Sequence, residues 1–440
     1  SKLLEKIVAI QMFRYINKFD ILYEHQYGFR RNHETNQPIL QFLDKIYKGL
    51  NMPNSEYTLT IFLDLKKAFD TCDHEILLGK LENYGFRGVT NLWFRNYLTN
   101  MTQFVHILDE NSSKKRIECG VPQGSVLGPI LFLLYINDLP GSTSFFTSLF
   151  ADDTGFLKSS NDLAKLFKDA NIELAKASSW FQANRLSLNV SKTKFMVFRT
   201  KRMILNENVC RLRLGNEELL RIGYNCKEEY YKFVGLRFDE FLTWDYHANK
   251  IGSANFALNQ IKNFLPLDIR KTVYNSLIKS HLEYGSISWG LSRSKGIAKI
   301  TKLQKKAIRN VAKCSHSTHC DPIFGSLEML KFEDLVQTNI CCHMFKYANH
   351  LLPKSLLSMF EPLSFFERTK NFKLCISKYA VLDTYPTISF PHTWNSLPLE
   401  LKNMSSLTVF KKSLKEKAFD KYKSFLCRNR HCYNCKTSNN

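Results

Sequence analysis

Two short apolar runs in this chain end in carboxylates. Tyr57 to Leu65 is β-branched and apolar, which predicts a buried strand, and Asp64 closes its core stretch Ile61-Phe62-Leu63-Asp64. Phe145 to Phe150 and Thr154 to Leu157 bracket Asp152 and Asp153, so this acid pair is expected on a hairpin turn after Ser148-Leu149-Phe150-Ala151. A carboxylate at the end of a core strand is costly unless it is paired or binds metal. If the two strands are neighbours, their acids converge. Hard divalent cations take such oxygen ligands, and two Mg²⁺ ions about 4 Å apart would bridge a triphosphate, activate an attacking hydroxyl and steady the leaving oxygen. Taken singly, each site also reads as an acidic turn or a strand-end cap, so the surroundings have to decide.

Composition narrows the field. A chain of 440 residues suits two or three domains, and a hydrophobic fraction of 44% excludes disorder for most of it. The most apolar run, Val126 to Leu139, is broken by Gly128, Pro129, Asn137 and Asp138, which argues against a membrane span. No charged region followed by an apolar segment succeeds Ser1, and the 12 cysteines are scattered. Reduced thiols in an intracellular compartment, cytoplasm and nucleus, are therefore expected. A net charge of +22 points to a polyanionic partner, nucleic acid first.

Periodicity adds helices at Asp73 to Tyr84, Val89 to Leu98, Gly128 to Leu139 and Asp162 to Leu186, strands at Lys194 to Phe198 and Tyr230 to Phe238, and paired strands at Thr102 to Leu108 and Lys115 to Cys119. Beyond about Leu242 the pattern is helical and more basic. The fold class expected is α+β.

The acids stand in a longer series. Phe62-Leu63-Asp64-Leu65-Lys66-Lys67-Ala68-Phe69-Asp70 precedes Gly120-Val121-Pro122-Gln123-Gly124-Ser125-Val126-Leu127-Gly128-Pro129, which precedes Phe150-Ala151-Asp152-Asp153. Gln26-Tyr27-Gly28-Phe29-Arg30, Leu186-Ser187-Leu188-Asn189-Val190-Ser191-Lys192-Thr193-Lys194 and Tyr231-Lys232-Phe233-Val234-Gly235 complete the set. In these residues the sequence resembles the reverse transcriptases of non-LTR, LINE-type retrotransposons, nearest to the jockey-like branch. The likeness runs through residues 1 to 240. It continues more loosely to about 420, through His319-Cys320-Asp321-Pro322-Ile323-Phe324 and Thr393-Trp394-Asn395-Ser396-Leu397-Pro398.

The resemblance implies a right-hand polymerase: partial fingers at 1–56, palm at 57–240, helical thumb at 241–330 and a basic C-terminal region at 331–440. It implies RNA-directed DNA polymerase activity with two Mg²⁺ (or Mn²⁺), on an RNA template, a DNA primer and dNTPs, with element RNA as partner and no membrane. Asp64, the Leu65 carbonyl and Asp152 would hold the metals, with Asp153 beside them. Phe69 would clash with a 2′-hydroxyl and favour deoxynucleotides, besides packing in the core. Gln123 and Gly124 would touch nucleotide and template, where glycine lets the backbone approach closely. Lys192, or its neighbour Lys194, would lie near the leaving pyrophosphate. Arg30, with Arg31, would contact template or triphosphate, and Phe233 and Gly235 resemble the primer grip.

In the basic half, Lys299, Lys302, Lys306, Arg309 and Lys313 recur at three- and four-residue steps, with Ile300, Leu303, Ala307 and Val311 turned away. Such a stripe can track phosphates without reading sequence, or simply face solvent. Cys314-x-His316-x2-His319-Cys320 falls largely in a stretch the family likeness already explains. Cys427-x4-Cys432-x2-Cys435, with His431, resembles a nucleic-acid-binding knuckle of imperfect spacing. Ser1-Lys2-Leu3-Leu4-Glu5-Lys6 looks like the tail of a fingers segment, so an N-terminally truncated copy is expected. The alternatives are an inactive remnant that only binds nucleic acid and an RNA-dependent RNA polymerase, the latter disfavoured by Phe69. Residues 1–240 hold 32 basic and 27 acidic side chains, residues 241–440 hold 30 and 13. The charge excess therefore speaks of grip more than of chemistry.

Overall fold

The computed structural model describes residues 2–51, 56–99, 101–360, 365–373 and 385–423. The cysteines at 427, 432 and 435 and His431 lie outside the described residues. The chain is α+β and divides into two compact units, one of residues 1–38 and 52–229 and one of residues 39–51 and 230–440. No described helix is long and apolar enough to cross a membrane.

In the first unit, α1 (Lys2–Lys18) precedes α2 (Asn36–Asn51), most of which belongs to the second unit. The strand read from Tyr57 onward is β1 (Tyr57–Leu63), with six of its seven residues buried. It is central in a five-stranded sheet. α3 (His74–Asn83), α4 (Val89–Thr99) and α5 (Leu127–Ile136) follow, then the hairpin β2 (Phe146–Phe150) and β3 (Asp153–Ser160), α6 (Leu163–Ala183) and β4 (Lys194–Phe198). Two short strands, β5 (Arg213–Leu214) and β6 (Glu217–Glu218), form a separate hairpin. β7 (Leu220–Ile222) then joins the sheet, whose order is β7-β4-β1-β3-β2, antiparallel except for the β7–β4 pair.

The helices follow their sequence signals. The Asp73 carboxylate accepts from the Ile76 amide at 3.0 Å and Asp162 from the Lys165 amide at 3.0 Å, each capping the helix that follows it. α5 is apolar all round and buried along its whole length, as a helix at the centre of a core must be. α6 buries Leu166, Phe167, Ala170, Leu174, Ala177 and Phe181, the stripe that its 3.6-residue period predicts. Residues 102–116 form one exposed hairpin broken into two short nested ladders, Thr102–Gln103 with Lys115–Arg116 outside and His106–Ile107 with Glu110–Asn111 inside, in place of one continuous strand pair.

The second unit opens with a difference from expectation. The segment read as one strand is a hairpin, β8 (Tyr230–Phe233) and β9 (Leu236–Asp239), turned by Val234 at φ 41° and Gly235 at φ 80°. Two consecutive left-handed residues match the twist of a two-residue hairpin turn, a signal that the apolar run masks. The Asp239 carboxylate then accepts from the amides of Phe241, Thr243 and Trp244 and sets the start of α7 (Asp245–Ile261). α8 (Leu267–Tyr274), α9 (Lys295–Ala312), α10 (Phe332–Ala348), α11 (Pro386–Asn395) and α12 (Leu407–Lys423) are its larger remaining helices. Trp394 and Asn395 serve as a clamp. The Trp394 indole donates to the Lys370 carbonyl at 2.7 Å, and the Asn395 amide bonds both the N–H and the carbonyl of Phe372.

His343 on α10 is buried against Phe360 and Phe390, and its Nε2 has no partner among the described residues. Burial, with Lys346 adding to it, pushes its pKa from 6.5 down to about 3. The unfolded chain therefore binds a proton near pH 6.5 that the folded chain refuses, and stability present above pH 6.5 is lost as pH falls toward 3. Between pH 7.5 and pH 5, His343→Phe is expected to lose about 1–2 kcal/mol less unfolding free energy than the unmutated chain, measured by urea titration.

Candidate active site

Strand register brings the acids together. The last residue of β1, Leu63, pairs with Thr154 of β3, and Phe150 pairs with Asp153 across the hairpin. Continuing that register sets Asp64 beside Asp153, with Asp152 on the turn. Asp152 and Asp153 are exposed and the Asp64 side chain is 34% exposed, so all three acids can reach a solvent-borne ligand. Leu65 forms an isolated antiparallel bridge with Leu188. The bonds of that bridge belong to its neighbours, Asn189 N–H to the Asp64 carbonyl at 2.7 Å and Lys66 N–H to the Ser187 carbonyl at 2.8 Å. Alternation along an antiparallel ladder then turns the Leu65 carbonyl to the opposite edge, where β3 lies.

Among the described residues, no three His, Cys, Asp or Glu side chains close into a metal cage. The donors present are carboxylates from two strands and a backbone carbonyl at an open edge. This set fits Mg²⁺, which takes one or two carboxylates plus water and substrate oxygens in preference to an all-protein cage.

The acid-bearing turn is fastened by a residue the sequence reading quoted but gave no role. Gln26 is 1% exposed, and its Oε1 accepts from the Gly28 amide at 2.9 Å and the Ala151 amide at 3.1 Å. Backbone bonds on either side, Tyr27 N–H to the Leu149 carbonyl and Leu149 N–H to the His25 carbonyl, tie the same segment to β2. Gly28 packs so closely that a Cβ would stand 2.4 Å from the Ala151 nitrogen. Ala151 itself has φ 57°, a left-handed conformation that needs such support. Arg30 Nη1 donates to the carbonyls of Tyr23 and Gln26, both at 3.1 Å, so that part of its fork holds this loop; Arg31 is exposed.

A second loop adjoins the first. Phe69 stacks on Phe132 of α5 at 4.4 Å and meets Phe29 edge-on at 6.3 Å, leaving it half-buried. Its carbonyl accepts from the Val121 amide, and the Asp70 carboxylate accepts from the Gln123 side-chain amide at 2.7 Å. Gln123 is thus exposed and held in place. Gly124 has φ 78° and open space where a Cβ would go. Its left-handed backbone, and no crowding within this chain, is what calls for glycine there.

The two lysines have different surroundings. Lys192 Nζ stands 3.9 Å from Asp64 Oδ2 with its side chain 70% exposed, whereas the Lys194 amine is bound to Glu228. Thr193 is a second residue the sequence reading passed over. Its hydroxyl oxygen accepts from the Asp64 amide at 3.2 Å.

Phe233 and Gly235 belong to the second unit. The Phe233 ring is 2% exposed and packs on Phe42 at 5.0 Å, so its side chain is core, and any contact from this hairpin must come from the turn. On α9, Lys299, Lys302 and Lys306 are exposed and Arg309 is half-buried, opposite a face that buries Ile300, Ala307 and Val311, whereas Lys313, expected on the same helical face, caps the helix beyond Ala312 in a left-handed conformation at φ 54°. Lys299 bonds the Asn249 side chain, Lys313 the Asn263 carbonyl and Arg309 the Thr318 carbonyl, while Lys302 and Lys306 extend into solvent. The nearby thiols of Cys314 and Cys320 point at the carbonyls of Arg309 and Lys305, and His319 Nδ1 accepts from the Asp321 amide.

Comparison with known proteins bears on this geometry. Residues 1–238 match the family described as reverse transcriptase (RNA-dependent DNA polymerase). The chain is 25% identical over 370 residues to a probable RNA-directed DNA polymerase from transposon BS of Drosophila melanogaster, covering 80% of this chain and 39% of that protein. It is 26% identical over 371 residues to the RNA-directed DNA polymerase from mobile element jockey of the same fly, covering 81% and 39%. The chain thus spans about two fifths of the length of these relatives. Among solved structures, it is similar to telomerase from Candida albicans in complex with a fragment of telomeric RNA, at 12% identity and a TM-score of 0.42, covering 75% of this chain and 57% of that one.

The fit at Gly28 yields a stability contrast. Gly28→Ala is expected to destabilise by about 1–3 kcal/mol, because the backbone of Ala151 has to move. Gly79→Ala, where a Cβ inside α3 meets nothing within 4 Å, is expected to stabilise by about 0.5–1 kcal/mol. Denaturant midpoints of the two variants check both signs.

Proposed function

The chain belongs to the reverse transcriptase family, and from that premise we propose that it is the polymerase region of a non-LTR retrotransposon protein, copying RNA into DNA. The observation that carries this reading is the register of β1 with β3, which sets Asp64 beside the Asp152–Asp153 turn. In this reading the first unit supplies palm and partial fingers, and the helical second unit supplies the thumb and the region after it.

Asp64, the Leu65 carbonyl and Asp152 would hold two divalent cations, Mg²⁺ first, with Asp153 beside them. Bound there, the cations supply Lewis-acid stabilisation of charge on the transferring phosphoryl group. The rest falls to the chain. A primer 3′-hydroxyl gives up its proton to solvent as its oxygen forms a bond to the α-phosphorus of a dNTP, the α–β bridging P–O bond breaks and pyrophosphate leaves. Lys192, exposed and 3.9 Å from Asp64, would give the departing pyrophosphate a proton. Phe69 is fixed between Phe132 and Phe29 and would present its free edge to the sugar, where a 2′-hydroxyl would clash. Gln123, oriented by Asp70, would meet the incoming nucleotide, with Gly124 beneath the base pair. Arg30 keeps the loop under the acids in place. An RNA template, a DNA primer and the element's own RNA are the partners proposed, with Lys299, Lys302, Lys306, Arg309 and Lys313 following the phosphate backbone.

The test is primer extension by the purified chain on an RNA template with Mg²⁺ and dNTPs. Asp152→Ala is expected to lower incorporation by about 10³-fold or more, since several kcal/mol of charge stabilisation is lost. Absent incorporation, or incorporation unchanged by Asp152→Ala, refutes the proposal.

Two further outcomes follow in the same assay. Lys192→Ala should slow the single-turnover rate by about 10²-fold, with Lys194→Ala affecting it far less. Phe69→Val should raise ribonucleotide use relative to deoxynucleotide use by about tenfold or more.

A further inference from the structure

A groove of about 590 Å³ lies between the outer face of α6 and the β5–β6 arm. Asn171, Ser178, Ser179 and Gln182 line it from the helix, and Arg211 and Arg213 from the arm. None of these residues takes part in the cluster around Asp64 and Asp152. We propose that this groove binds the phosphodiester backbone of single-stranded nucleic acid, at a site separate from the polymerase centre.

The arm is built to hold its two arginines outward. Leu212 and Leu214 are buried in the core of the unit, so strand alternation turns Arg211 and Arg213 to the other side. Asn171 locks that arrangement. Its Nδ2 donates to the Arg211 carbonyl at 3.0 Å, and its Oδ1 accepts from the Arg213 amide at 2.9 Å. A third bond, from Nδ2 to the Phe167 carbonyl at 2.8 Å, fixes the asparagine to its own helix. The Leu219 amide donates to the Leu212 carbonyl at 2.9 Å and closes the hairpin behind the arginines.

Both guanidinium groups are exposed, and neither has an ion pair or hydrogen bond among the described residues. Among the described residues no acidic side chain lines the groove, and Glu218, which stands opposite Arg213 across the β5–β6 pair, makes no ion pair with it. On the same unit Arg95 pairs with Glu75, Arg185 with Asp73 and Arg221 with Glu207, while Arg14, Arg31 and Arg202, like the arm's two arginines, have no ion pair among the described residues. Two arginines without ion pairs on a clamped arm, facing the hydroxyl of Ser178 and the side-chain amide of Gln182, form a cationic surface with further donors beside it. Such a surface suits an anion with several acceptor oxygens, and the planar fork of arginine suits phosphate in particular.

Shape separates a strand from a single anion. The helix side runs from Asn171 to Gln182, eleven residues apart, or about 16 Å of α-helix. One phosphate would occupy a small part of that length. The groove volume is also that of a site for a ligand of several rings and not for one ion. A polynucleotide passing over both arginines and the serine hydroxyls would use all of it. The reading stands apart from the proposed chemistry, because it asks only for binding.

The experiment uses the full chain with its polymerase cleft saturated by an excess of unlabelled hairpin primer–template. Binding of a fluorescent 12-nucleotide oligo(U) is followed by anisotropy over a range of salt, beside oligo(dT), UMP and inorganic phosphate as separate arms. Arg211→Gln/Arg213→Gln is expected to weaken oligonucleotide binding by about tenfold and to reduce the salt slope by about two. The same variant should keep the unmutated melting temperature and extend a short primer–template at the unmutated rate. Asn171→Ala, which frees the arm and leaves its charge, should weaken binding by less than the double variant. Preference for oligo(U) over oligo(dT) would mark the strand as RNA, and equal affinity would mark it as single-stranded nucleic acid of either sugar; both support the proposal. An affinity and salt slope unchanged in the double variant would overturn it. So would displacement of the oligonucleotide by inorganic phosphate alone at equal phosphate concentration, which would make the groove a small-anion site. A failed primer-extension assay with oligonucleotide binding intact and arginine-dependent would sink the polymerase reading and leave this one standing.

Discussion

The pairing of Leu63 with Thr154 decides where the carboxylates go. A strand's side chains alternate, and a slip of one residue would send Asp64 to the other face of the sheet and its hydrophobic neighbours to solvent. Leu59, Ile61 and Leu63 are buried in the core around α5, so a slip would expose that whole set. The hydrophobic pattern therefore enforces the register, and the register positions the acids. The placement of the three acids is in this sense a by-product of core packing.

Holding three acids at one edge also has to be made tolerable. Each is left in contact with solvent, where water screens their mutual repulsion, and Lys192 stands close enough to Asp64 to offset part of it. Beneath them the structure spends neutral contacts: the Gln26 side chain, the Thr193 hydroxyl and the bare Cα of Gly28 fix the backbone without adding charge. A charged residue in the place of Gln26, buried to 1%, would need its own partner. The uncharged amide does the same positioning at lower cost.

What could be read in the sequence was whatever local chemistry announces. β1, α5, α6 and the Asp73 and Asp162 caps follow from short-range pattern, and the acids stood out because charged residues at the ends of apolar strands are unusual. Gln26 did not stand out, since its bond to the Ala151 amide joins positions 125 residues apart. Lys192 and Lys194 could not be told apart by spacing, because the difference is Glu228, supplied by a loop beyond β4. The β8–β9 turn was hidden for another reason. Val234 adopts φ 41°, which a β-branched residue avoids, and the Tyr284 hydroxyl bonds its carbonyl from far along the chain. Tertiary contacts override propensity there.

The two cationic surfaces differ in how they hold their charge, and that difference has consequences. On α9, Lys302 and Lys306 carry their ammonium groups on flexible stems with no partner among the described residues, a form of attraction that is sequence-blind, salt-sensitive and indifferent to register. A polymerase needs such a hold, because its duplex must advance one step after each addition, and fixed bidentate contacts would have to break every time. Arg211 and Arg213 are carried on a backbone that Asn171 pins at two points, so less freedom is lost when a phosphate binds and the contact is directional. A strand held that way resists sliding. In the proposed reading, exposed lysines on flexible stems would suit a moving duplex and clamped arginines a strand that stays put, so the charge of this chain would divide by rigidity as well as by position.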